Sequence, residues 1–210
     1  MRPRKEIIKY IKTNVFPTFK AQTDGHGLDH IKYVISNSLN FAEQVKDEPI
    51  NIDMVYVIAA YHDIGQSVCY ETHETESAKM LRADKGLAKF FTSEQLETMA
   101  IAIQDHRASS DHEPRNIYGK IVSSADRRWD INDSLKTMYR HSLKHYAKAS
   151  LDDVIEEIRN YAIKKYGKGG YAVSKMYFKS KQFDKMLKQM QVIVYDKEKF
   201  KRKILSVTGA

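Results

Sequence analysis

The sequence predicts an all-α protein, and three observations lead to that expectation. Glycine and proline are scarce, at 9 and 4 residues of 210, whereas sandwiches and barrels need many turns. Apolar residues recur at spacings of three and four along most of the chain, which places them on one face of a helix. Strict alternation of apolar and polar residues, the pattern of a half-buried strand, is almost absent. At this length we expect a single helical domain over residues 1–210.

The amino-terminal part is expected to contain two helices. Apolar positions at helical spacing predict the first over residues 3–20, and Pro17 should end or kink it because proline lacks the helical donor. A glycine-containing turn cluster follows. The second helix is expected from Leu28 to about Lys46.

The next segment, residues 51–64, is apolar on almost every side. It is long for a buried strand, and Asn51 and Asp53 are typical helix-start residues, so we expect a central buried helix. Further helices are expected to open at Thr75 and Ser93, to cover 116–126, 131–148 and 151–165, and to end with one long helix from Ser180 to Ile204 beyond the loop Tyr166–Gly170.

Composition excludes several classes of protein. The single cysteine, Cys69, rules out an intramolecular disulfide framework and a cysteine-built zinc finger, and it suits a reducing compartment. No apolar run approaches the roughly 20 residues that a membrane span requires. We therefore expect a cytoplasmic protein that does not bind membranes.

The positive charge is concentrated near the carboxyl terminus. Residues 164–210 contain 13 Lys or Arg and 3 Asp or Glu, a net charge of +10 within a total of +8. Such a segment suits nucleic acid or an anionic substrate, but a solvated helical face is the simpler interpretation. We expect a basic helical extension that packs on the rest of the domain.

The residues that carry chemistry begin with a histidine and an aspartate at the end of the apolar helix, in the string Tyr61-His-Asp-Ile-Gly65. Two ionisable side chains that end an apolar helix are costly to bury without a partner. A divalent cation is one such partner, because imidazole nitrogen and carboxylate oxygen are its usual ligands in a cysteine-poor protein. An internal histidine–aspartate hydrogen bond is the alternative for an isolated pair.

The pair is not isolated, because other short motifs precede and follow it. In chain order these are Gly25-His-Gly-Leu-Asp-His30, His62-Asp-Ile-Gly65, His73-Glu-Thr-Glu-Ser77, Ile103-Gln-Asp-His106 and Ser124-Ala-Asp126-Arg127. This ordered set, over about residues 24–131, resembles the HD superfamily of metal-dependent phosphohydrolases. The resemblance implies an HD-like multi-helix bundle with additional carboxyl-terminal helices.

The resemblance also implies a site and an activity. His30, His62, Asp63 and Asp126 would bind a divalent metal ion, and such a donor set suits Mn²⁺, Mg²⁺, Fe²⁺, Co²⁺, Ni²⁺ or Zn²⁺. The metal would activate a water that attacks a phosphate ester of a nucleotide or a small phosphorylated metabolite. A homodimer is left open.

Three residues are expected to act in catalysis, namely Asp63, His73 and His106. Asp63 would position the attacking water in addition to binding metal. In HD proteins the two histidines either complete a second metal site or face the substrate, and both alternatives stay open here. His26, beside His30 in the turn, is a weaker candidate.

Departures from the family pattern limit what the resemblance implies. Gln66 stands where several branches have lysine, and the Gly-Tyr-Pro motif of the cyclic-dinucleotide branch is absent from the sequence. Arg127 and Arg128 are candidates for phosphate contacts or structural ion pairs. Two rival functions remain, a two-iron site for oxygen chemistry and a non-catalytic scaffold that binds nucleic acid through the basic segment.

Overall fold

The computed structural model describes residues 2–19, 27–145 and 149–209. All regular secondary structure in these ranges is helical, which confirms the all-α prediction. The helices are α1 (Lys5–Asn14), α2 (Leu28–Ala42), α3 (Ile52–Tyr61), α4 (His73–Ala83), α5 (Ser93–Gln104), α6 (Ile117–Ala125), α7 (Ile131–His145), α8 (Leu151–Tyr166), α9 (Tyr171–Ser174), α10 (Lys181–Val194) and α11 (Lys197–Thr208). Short 3₁₀ turns cover Phe16–Phe19, Ile64–Ser67 and Leu87–Lys89.

The chain divides into two compact units. The first runs to Asp126 and includes Met176–Phe178, and the second comprises Arg127–Lys175 and the residues from Lys179 onward. The division falls at the end of α6, so α7 and α8 group with the basic segment 164–210. A single domain, with that segment packed on a core, stays a prediction.

Helix α3 is the central element of the first unit. All its residues except Asp53 are buried, and it packs against α2, α5 and α6. The Asn51 side chain accepts a hydrogen bond from the Asp53 backbone N–H at 3.0 Å, which fixes the start of the helix. Because α3 is buried throughout, the residues that follow Tyr61 are delivered to the interior.

Helix α1 contacts α3, and the other four helices of the first unit form two pairs around it. Helix α2 packs against α6, and α4 packs against α5. Helix α5 begins with a capping box in which Thr92 and Gln95 satisfy each other's backbone N–H groups. The two pairs bring several helix ends to the carboxyl end of α3.

In the second unit the long helix predicted from Ser180 to Ile204 was wrong, because two helices occupy this stretch. Helix α10 ends at Val194, and the Asp196 side chain accepts a hydrogen bond from the Lys199 backbone N–H at 3.0 Å. This cap starts a new helix with its own buried face, which includes Phe200.

Candidate metal centre

Six ionisable side chains meet at the ends of five helices of the first unit. His30 lies in the first turn of α2, and His73 is the first residue of α4. The remaining members directly follow a helix or lie two residues beyond one: His62 and Asp63 after α3, His106 after α5 and Asp126 after α6. The structure thus brings together all six residues that the sequence singled out, from positions up to 96 residues apart.

Three of the four imidazoles are held by the same local contact. Nδ1 of His62 lies 2.9 Å from the Ala59 carbonyl oxygen, and Nδ1 of His106 lies 2.7 Å from the Ile103 carbonyl oxygen. His73 makes the equivalent contact to a carbonyl three residues earlier, at 2.8 Å. A carbonyl can only accept, so Nδ1 is the donor and Nε2 of each neutral ring presents a lone pair to the centre.

The Asp63 carboxylate lies between two groups of histidines. Its Oδ2 is 3.4 Å from His30 Nε2 and 3.3 Å from His62 Nε2. Its Oδ1 is 3.3 Å from His73 Nε2 and 3.7 Å from His106 Nε2. The two oxygens of one carboxylate therefore face different sides of the cluster.

The donor atoms form two triads that could each hold a metal ion. One consists of His30, His62 and Asp126, with Asp126 Oδ1 at 3.1 Å from His30 Nε2 and 3.8 Å from His62 Nε2. The other consists of Asp63, His73 and His106. Within each triad the donor atoms lie within 4.8 Å of one another.

The donors fit a cation on two further grounds. His62 Nε2 is buried and has no hydrogen-bond partner among the described residues, which is costly for a polar atom unless an ion or water meets it. The set of four imidazoles and two carboxylates is also the usual mixture for divalent transition metals. The residues present thus fit the metal that the resemblance implies.

The carboxylates shift the protonation of the nearby imidazoles. Burial lowers the pKa of His30, but Asp126 and Asp63 outweigh burial and raise that pKa to about 9. Burial raises the pKa of Asp126, but the hydrogen bond and charge of His30 bring it well below its usual range. Burial, together with the imidazoles of His62 and His73, lowers the pKa of His106 to about 4. In the metal-free centre at neutral pH, His30 is therefore protonated and His106 is neutral.

A close backbone contact sets the position of α4 relative to Asp63. The Gly65 N–H donates to Ser77 Oγ at 2.9 Å. A Cβ atom at Gly65 would lie 2.5 Å from the His73 carbonyl oxygen, so only glycine permits this approach. The contact brings the first residue of α4 against the turn that carries Asp63.

One supporting pair was missed from the sequence. Asp105 is buried beside His106, and its carboxylate accepts hydrogen bonds from the backbone N–H and the guanidinium of Arg115, both at 2.8 Å. An acid next to a histidine, with an arginine ten residues later, is not a distinctive pattern. The pair ties the chain that follows α5 to the segment before α6.

Other predicted candidates lie elsewhere or outside the described residues. Gly25 and His26 fall outside them. Arg127 is buried, and its Nη2 lies 3.5 Å from the Lys175 carbonyl oxygen, which favours the structural role over a phosphate contact. His112 is exposed in the loop before α6.

No described helix combines the length and apolar character needed to cross a bilayer.

Part of the chain is similar to a known protein family. Residues 27–128 match the HD domain family. No curated protein matches the chain. Among solved structures, a predicted HD superfamily hydrolase from an uncultured Thermotogales bacterium is 19% identical, with a TM-score of 0.49 over 96% of this chain and 91% of that one. Residues 27–128, just under half of the chain, are thus similar to the HD domain family.

Proposed function

We propose that this protein is a metal-dependent phosphohydrolase that hydrolyses a phosphate ester of a nucleotide or a small phosphorylated metabolite. The HD domain and the two donor triads support a metal-dependent hydrolase in general. The observation that carries the proposal is the position of Asp63, whose Oδ2 faces His62 and whose Oδ1 faces His73. A shared carboxylate is suited to hold two cations close enough to act on one phosphate.

His30, His62, Asp63 and Asp126 would bind one divalent ion, and Asp63, His73 and His106 a second. Mn²⁺, Mg²⁺, Fe²⁺, Co²⁺, Ni²⁺ and Zn²⁺ all suit these donors. When bound, the ions supply Lewis acidity at the phosphate and at the attacking water. His73 and His106, predicted to act in catalysis, are proposed here to act through this second triad.

The chain's own residues supply orientation and exclude water. The Nδ1 contacts to backbone carbonyls fix the rings of His62, His73 and His106, so the Nε2 atoms need little reorganisation. The Asp63 side chain is 3% exposed, whereas that of Asp126 is 25% exposed. We infer that the centre is open to solvent at Asp126, and that Asp63 holds its position between the two groups of histidines and orients the attacking water.

A two-iron centre for oxygen chemistry is the second candidate. The observation that favours it is the histidine-rich second triad, in which His73 and His106 join Asp63. Iron suits such imidazole ligands as well as other divalent metals do. Oxygen consumption by the iron-loaded protein, without release of phosphate, would favour this candidate.

Binding of nucleic acid through the basic segment is a weaker proposal. Several of its lysines already pair with acids of the second unit: Lys197 Nζ lies 3.3 Å from Glu156 Oε2, and Lys201 Nζ lies 2.6 Å from Asp152 Oδ1. These pairs neutralise part of the charge on α11. A scaffold role would also leave the cluster of six donors without a function.

The proposal is tested by a screen of phosphorylated metabolites and nucleotides. Phosphate release and oxygen uptake are measured in parallel on protein loaded separately with Mn²⁺, Fe²⁺, Co²⁺ and Zn²⁺. We expect phosphate release from at least one ester, and we expect His62→Ala to abolish it. Oxygen uptake alone, or phosphate release that survives His62→Ala, would refute the proposal.

A further inference from the structure

A polar cavity of about 560 Å³ opens beside the second triad, within the first unit. Its walls come from the start of α4, the end of α5 and the loop that precedes α6. The polar residues of these walls include Glu74, Asp105, Arg107, Ser109 and Arg115. None of them is one of the six donors of the metal centre.

Two residues of the cavity wall are sequence neighbours of donors in the second triad. Glu74 and Arg107 directly follow His73 and His106, so the cavity wall begins one residue from each of these donors. Neighbouring Cα atoms are about 3.8 Å apart, so the backbone of the cavity wall lies next to that of two triad residues. The Arg107 Nη1 also lies 3.2 Å from Glu74 Oε2, and this pair joins the two walls.

The acidic groups of the cavity are already occupied. Asp105 is 1% exposed, and it accepts hydrogen bonds from Arg115 Nε at 2.9 Å and Arg115 Nη2 at 2.8 Å. Glu74 Oε2 accepts from Arg107. Each carboxylate is therefore paired with a guanidinium, which offsets its charge towards an anion.

The side chains that donate hydrogen bonds, in contrast, retain donor groups without an acceptor among the described residues. Arg107 donates only through Nη1, to the Glu71 carbonyl oxygen at 2.7 Å and to Glu74, and its Nε and Nη2 make no hydrogen bond among the described residues. Arg115 Nη1 and the exposed Ser109 hydroxyl are likewise unused within that part of the chain. Guanidinium groups in such positions bind phosphate in a bidentate manner.

We propose that this cavity binds a second phosphate group of the substrate, so that the preferred substrates carry two phosphates. This inference rests on the proposed phosphohydrolase activity. It makes Arg107, Ser109 and Arg115 specificity-determining residues. One phosphate lies at the metal centre, and the other contacts Arg107 and Arg115.

Binding is measured first, on metal-free protein titrated with inorganic phosphate and followed by calorimetry. We expect one saturable site in the wild type, and affinity at least tenfold lower in Arg107→Gln and Ser109→Asp. The matched control is Arg82→Gln. Arg82 and Arg107 are 34% and 35% exposed and each pairs with a glutamate, but Arg82 lies outside the cavity. This control should bind phosphate within twofold of the wild type.

Substrate preference is measured second, on metal-loaded protein, with adenosine 3′,5′-bisphosphate and adenosine 5′-monophosphate. We expect kcat/KM to favour the bisphosphate at least tenfold in the wild type and in Arg82→Gln. In Arg107→Gln and Ser109→Asp the ratio should fall towards one, chiefly through KM for the bisphosphate.

The two measurements separate the inference from the activity on which it rests. Saturable phosphate binding without hydrolysis of any ester contradicts the proposed function and supports the anion site. Hydrolysis with a preference that Arg107→Gln does not alter supports the function and overturns the inference. Absence of saturable binding in the wild type, or equal losses in Arg82→Gln and Arg107→Gln, also overturns it.

Discussion

His73 and His106 face each other with 3.3 Å between their Nε2 atoms, although 33 positions separate them in the chain. Both rings donate Nδ1–H to a backbone carbonyl, so two lone pairs meet when the rings are neutral. The depressed pKa of His106, near 4, keeps that ring neutral at physiological pH. Such an arrangement favours a cation or a proton between the rings.

His73→Ala should therefore remove one of two bound metal ions. The variant loses a donor of the second triad and leaves His30, His62 and Asp126 intact. Metal analysis by mass spectrometry should give two ions per chain for the wild type and one for the variant. His141→Ala, on α7 and exposed, is the control and should keep both ions. Equal stoichiometry in His73→Ala and the wild type would exclude a second site at this position.

Asp63→Ala should lose both ions, because the carboxylate faces both triads. Hydrolysis should fall by at least about 100-fold, as expected when the donors that hold a catalytic metal are lost. The helices should persist, since α3 is held by apolar burial and by the Asn51 cap. Circular dichroism and metal analysis on the same sample check this. A variant that keeps two ions and normal turnover would contradict the bridging role.

The stability of the metal-free protein should fall as the pH rises from 6.5 towards 10. The pKa of His30 is raised from 6.5 to about 9, so its stabilising contribution is complete below 6.5 and is lost as the pH rises through 9. The shift corresponds to a loss of up to about 3 kcal/mol in the free energy of unfolding. Urea unfolding at several pH values measures this loss.

His30→Gln is the control for this effect, because glutamine cannot titrate. The difference between wild type and variant should shrink across the same pH range. A difference that stays constant from pH 6.5 to 10 would show that His30 does not carry the raised pKa.

Gly65→Ala should destabilise the protein by about 2–4 kcal/mol. The new Cβ would lie 2.5 Å from both the His73 carbonyl oxygen and the Ser77 nitrogen, which are backbone atoms that cannot move aside cheaply. Gly169→Ala is the matched control: it adds the same atom in open space, so its cost of about 1–2 kcal/mol comes only from the φ of +73°. Thermal unfolding compares the two. Equal destabilisation would mean that the close approach at Gly65 is not needed.

Much of the fold could be predicted from the sequence, because several of its helices begin with recognisable caps. Asn51 before an apolar run predicted the start of α3 closely. Asp196 was equally informative but was overlooked, because apolar spacing continues on both sides of the cap. Helical periodicity alone does not distinguish one long helix from two short ones that each bury a face.

The six donors could be identified from motifs, but their arrangement could not. Spacing along the chain does not reveal that the two oxygens of Asp63 face different histidines, since this depends on how α4 packs against the turn after α3. The pairing of Asp105 with Arg115, and the cavity above it, depend on loop geometry that no local pattern encodes.

Metal dependence is tested by titration of metal-free protein with Mn²⁺, followed simultaneously by phosphate release and by bound metal. We expect no release without metal, and activity that rises to a plateau at two ions per chain. Undiminished release from the metal-free protein, or a plateau reached with no ion bound to either triad, would contradict the proposed metal-dependent hydrolysis.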